Sequence, residues 1–150
     1  MLSTKLYKRV HTLAEELLKA ARKEDEASFE ALYAELRVLC EEHEGTEKNH
    51  PVQWETLADF TEESDDALIL YRKALTFAEA ESAYDYIASI NYAMAIMLQE
   101  LGEKEQALVA ANHAHAQAGN ISDEELKEEI IHLIEALQPP PAPEPHPIYG

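Results

Sequence analysis

Small residues return every 40 positions along this chain. Ala27, Ala67 and Ala107 are in phase, as are Ala34, Ala74 and Ala114, then Ala31, Tyr71 and Ala111, and finally Val38, Ala78 and Ala118. Within one segment these positions fall at i, i+4, i+7 and i+11, which is one narrow helix face. Such a face lets a second helix approach closely, so the recurrence predicts helical hairpins repeated along the chain. Alanine is common here, and a single aligned column would carry little weight; four columns at one period carry more. A plain seven-helix bundle would also bury alanines, and that alternative stays open.

Apolar residues recur at helical spacing nearly throughout, and no segment alternates as a strand would. Leu6, Val10, Leu13, Leu17 and Ala21 form one stripe, and Phe29, Leu32, Leu36, Leu39 and Cys40 a second, after a break at Glu24-Asp25. Residues 41–49 are polar and read as a loop. His50-Pro51 opens a short helix, where proline's missing N–H costs nothing. A helix follows Ser64-Asp65-Asp66 and runs to about Glu81. The next covers about 83–101 and stops at Gly102, and another covers about 103–118 and stops at Gly119. Ser122-Asp123-Glu124-Glu125 reads as a capping box for a last helix with Leu126, Ile130, Leu133 and Leu137 on one face. The expected fold is all-α, with about three helical hairpins and a C-terminal capping helix over residues 1–138. A proline-rich extended tail, 139–150, follows.

The small-residue pattern resembles the tetratricopeptide repeat (TPR) family, in its longer-helix form. The match is best over 91–119: Met94-Ala95 stand in the first-helix slots, Gly102 at the turn, and Ala107 and Ala114 in the two small slots of the second helix. It extends to 54–80 through Trp54-x-x-Leu57-Ala58, then Ala67, Tyr71 and Ala74, with about one helical turn fewer between Ala58 and Ala67 than the family has. Before residue 45 it is loosest, resting on Leu13-Ala14 and the alanines of the second stripe. The resemblance implies that the first helix of each hairpin lines a concave groove. Its register places Lys8, His11 and Glu15 there from hairpin one, Glu55 and Asp59 from hairpin two, and Ser89, Tyr92 and Ile96 from hairpin three. The family's best-known groove clamps a terminal carboxylate with Lys and Asn. The corresponding slots here hold Glu55 and Asp59, or Tyr92 and Ile96, which argues against such a clamp.

Thirty acidic residues against twelve basic ones give a net charge of −18, so nucleic acid and anionic membranes are poor partners. Residues 1–24 carry about +3 and residues 25–66 about −12. Four glycines and one cysteine leave no phosphate loop, disulfide framework or zinc ribbon. His113 and His115 point away from each other on a helix, and His11 with Glu15 lacks a visible third ligand, so no metal or other cofactor is expected. Cys40 reads as a reduced core thiol. No nucleophile motif is present, and the chain is not expected to be an enzyme. The N-terminal basic residues precede no apolar run, and the apolar segment 86–99 is too short to span a bilayer. A cytoplasmic location fits. The expected function is a protein-interaction module whose acidic groove takes a basic, partly apolar segment of a partner. The alternative is a dedicated chaperone or immunity-type inhibitor that masks one cationic effector.

Overall fold

The computed structural model describes residues 3–138; the expected proline-rich tail lies outside the described residues. The chain forms α1 (Thr4–Arg22), α2 (Glu26–His43), α3 (Pro51–Asp59), α4 (Ser64–Ala80), α5 (Tyr84–Glu100), α6 (Lys104–His115) and α7 (Glu124–Leu137), with a short 3₁₀ turn at Ala118–Asn120 before α7. Each helix packs on the next, and α3 also touches both α1 and α5. The first helices of the three hairpins therefore share one layer, as an all-α hairpin array requires. α7 covers the last hairpin through Ile130, Leu133 and Leu137.

Local chemistry explains most of the boundaries. Ser3, Asp25 and Asp123 accept hydrogen bonds from the amides of Leu6, Ser28 and Leu126, which caps α1, α2 and α7. The expected capping box at α7 is thus shifted by one: Asp123 is the cap and Ser122 lies outside the helix. α6 ends at His115, earlier than expected, because residues 118–120 tighten into the 3₁₀ turn.

Three turns close identically. The amides of Asp25, Ala83 and Glu103 bond to the carbonyls of Ala20, Ala78 and Leu98, around left-handed residues Glu24 (φ 55°), Ser82 (φ 53°) and Gly102 (φ 81°). This is the Schellman closure, in which glycine is preferred at the left-handed position. Only one of the three turns uses it. Glu24→Gly and Ser82→Gly are each expected to raise stability by about 0.5–1 kcal/mol, while Gly102→Ala lowers it by about 1 kcal/mol. No heavy atom lies within 4 Å of a Cβ built on Gly102, so this loss would be one of backbone conformation, read by thermal unfolding.

The alanine columns divide at the first hairpin. Ala67, Ala74, Ala78, Ala107, Ala111 and Ala114 are fully buried, and Tyr71 nearly so. Ala27, Ala31, Ala34 and Val38 are exposed instead, Val38 by 50%. α2 turns its opposite face inward, with Leu36 and Cys40 buried and Phe29, Leu32, Tyr33 and Leu39 packed beside them. The larger side chains remove more apolar surface from water, so they and not the alanines choose the inner face. In α1 the buried residue at the C-terminal end is Ala20, not Ala21. Cys40 is a core thiol: it donates to the Gln53 carbonyl at 3.2 Å, and burial pushes it up to about 12.

Candidate functional site

The structure brings Glu55, Asp59 and Ser89 together. Glu55 and Asp59 lie one turn apart on α3, and Ser89 on α5 donates from Oγ to Glu55 Oε2 at 2.7 Å. Tyr71, on α4, donates its phenol to Asp59 Oδ1. Three helices thus converge on two carboxylates, and both bonds come from neutral hydroxyls. Neither carboxylate forms an ion pair among the described residues.

That arrangement is electrostatically uncomfortable. Burial pushes the Glu55 carboxyl up to about 7; the Ser89 hydroxyl opposes this and the charge of Asp59 adds to it. Asp59 keeps an exposed edge, yet loss of water around its carboxyl raises it as well, against the pull of the Tyr71 bond. A half-buried charge without a counterion normally acquires one or stays protonated.

Aromatic rings extend the site. Tyr86 lies one turn before Ser89 on the same side of α5, and burial, followed by the proximity of Glu55, Tyr7 and Asp85, pushes its phenol up to about 12. On α1, Tyr7 stacks on His11 with centroids 6.4 Å apart, and His11 Nε2 lies 2.9 Å from Glu15 Oε1; all three are solvent-exposed. His11 and Glu15 thus pair with each other, whereas Glu55 and Asp59 are bonded by Ser89 and Tyr71. Tyr92 and Ile96 share the Ser89 face of α5 by spacing but are half-buried in the core, with Tyr92 close to Glu129 of α7.

Sequence reasoning missed Tyr7, Tyr71 and Tyr86. Tyr71 was legible only as a member of a packing column, although its hydroxyl is what holds Asp59. Tyr86 could have been found from its i−3 relation to Ser89.

His50 borders this region. It caps α3 by accepting the Val52 amide at Nδ1 (3.1 Å), packs edge-on to Tyr86 at 5.0 Å, and places Nε2 3.7 Å from Glu81. A protonated Nδ1 cannot accept, and burial holds this imidazole below its ordinary value while Glu81 opposes. The folded state therefore binds a proton less readily than the unfolded chain. The contribution of this cap is present above about pH 6.5 and is lost as pH falls below it. His50→Asn retains a capping oxygen, and chemical denaturation as a function of pH should show the variant losing less stability on acidification.

No set of three or more His, Cys, Asp or Glu side chains among the described residues is placed to hold a metal ion. No helix among them is long and apolar enough to cross a membrane. The fold and site define an all-α helical-hairpin array with a carboxylate pair on its first-helix layer. No family model, curated protein or solved structure matches the chain.

Proposed function

We propose that this chain is a TPR-like protein-interaction module whose concave first-helix face receives a basic side chain of a partner between Glu55 and Asp59. The observation that carries this reading is the pair itself: two carboxylates one turn apart, Glu55 the more deeply set, whose hydrogen-bond partners among the described residues are hydroxyls. A lysine or arginine arriving with its own segment supplies the missing charge. Tyr92 and Ile96 offer apolar surface on the adjoining helix, and Tyr7 and Tyr86 widen the aromatic wall. The partner is a protein with cationic residues beside apolar anchors, and the module does no chemistry on it. A dedicated chaperone or inhibitor of one cationic protein would use the same face; it differs in needing one folded partner rather than short segments from several.

The test is binding kinetics with a partner recovered from the source cell. At about pH 8, where the Glu55 carboxyl is ionised, Glu55→Gln with Asp59→Asn should slow association by about tenfold at low salt and by less near physiological salt, because salt screens long-range steering by the pair. Tyr92→Ala should instead speed dissociation, since it removes contact area. Unchanged kinetics in the neutralised protein, with helical content intact, would place the interface elsewhere.

A further inference from the structure

One cleft reverses the charge of the rest of the molecule. In a chain with 30 acidic and 12 basic residues, it gathers Lys5 and Lys8 from the start of α1, His43 from the end of α2 and Lys48 from the α2–α3 loop, and no carboxylate lines it. Its volume is about 450 Å³, and Leu6 and Leu39 contribute its apolar surface. The depression beside the α1–α2 turn is by contrast rimmed by Glu26, Glu30 and Glu62.

The cations here are available. Arg9, on the same rim, is engaged by Glu35, whereas Lys5, Lys8 and Lys48 form no ion pair among the described residues. Most lysines of this chain form no ion pair among the described residues; what sets these three apart is that they gather in one cleft whose lining holds no carboxylate. His43 Nδ1 donates to the Leu39 carbonyl at 2.8 Å, which holds the ring at the end of α2 and leaves the lysines as the anion-facing groups. α1 has no acid in its first turn to offset the positive end of its dipole.

We propose that this cleft binds a small oxyanion, a carboxylate or phosphate monoester, carried on a short apolar body. The lysines meet the charged head, and Leu6 and Leu39 lie against the body. Ammonium groups contact either oxyanion as point charges, so the two share one recognition chemistry. The apolar floor separates this from mere counterion condensation, because a bare ion gains nothing from it.

The experiment titrates the full chain with sodium hexanoate, with hexyl phosphate and with hexanol as the uncharged control, read by backbone-amide NMR. Both anions should give saturable shifts near residues 5–8, 43 and 48, with a Kd on the order of 1 mM, and hexanol should give none. Lys5→Gln with Lys48→Gln removes exposed side chains only and should weaken binding by about tenfold. Glu55→Gln with Asp59→Asn should leave it unchanged, which separates this cleft from the first-helix face. Tighter hexyl phosphate identifies a phosphate monoester as the natural class, and tighter hexanoate a carboxylate. Equal shifts with hexanol, shifts that survive the lysine replacements, or no saturable shift at all would overturn the proposal.

Discussion

Glu55→Gln should make this protein more stable at about pH 8, by roughly 1–3 kcal/mol, and should leave it nearly unchanged below about pH 5. The folded carboxyl is pushed from its ordinary 4.5 up to about 7, so the folded state holds a proton that the unfolded chain has already lost. Stability contributed by this group is therefore full at low pH, falls as pH rises between those values, and is at its minimum above about 7. Glutamine keeps an oxygen that can accept from Ser89 and never acquires the charge, so the substitution removes the cost without vacating the space. For a chain of this length the gain corresponds to a rise in Tm on the order of 5 °C, measurable by thermal unfolding at several pH values. A variant no more stable than the parent at pH 8 would show that the Glu55 carboxylate is compensated in solution. The same substitution is expected to weaken partner binding. That opposition, a side chain that costs stability and serves recognition, is typical where function rather than packing keeps a charge in place.

Ala114→Leu and Ala74→Leu should each cost roughly 1–3 kcal/mol, whereas Ala31→Leu and Ala34→Leu should change stability by no more than about 0.5 kcal/mol. Ala34, Ala74 and Ala114 occupy one 40-residue column, and Ala31 belongs to another. Ala114 is enclosed among Ala88, Ile121 and Ile130, and Ala74 sits wholly within the main core. Three added carbon atoms at either site force the facing helix away. Ala31 and Ala34 look outward from α2, where a leucine meets solvent. Midpoints of denaturant unfolding for the four variants decide the matter. Equal losses in all of them would mean that the first hairpin packs like the other two, and equal neutrality would mean that none of these columns is buried.

Helix existence followed from the sequence because periodic apolar residues, caps and breakers are local. The stripes of α1 and α7, the short α3 behind His50-Pro51 and the turn at Gly102 needed only neighbouring residues for their prediction. The left-handed turns at Glu24 and Ser82 carry no glycine to announce them. They form because the chain must reverse at α1–α2 and α4–α5 as it does at α5–α6, which is a demand of helix packing and not of the local sequence.

The candidate site divides along the same line. Helical spacing on α3 is enough to put Glu55 and Asp59 on one side. That Ser89 reaches Glu55 across 34 residues, and Tyr71 reaches Asp59, depends on how α4 and α5 stack against α3. The same stacking withdraws water from the pair and leaves it without a cation among the described residues. It also decides that the alanines of α2 face outward, since a helix with two apolar faces buries whichever removes more surface. The sequence by itself determined the helices and the types of residue each could present. Which faces met, and which charges were left without a partner, was decided only when the helices packed, because burial and pairing belong to groups distant in the chain.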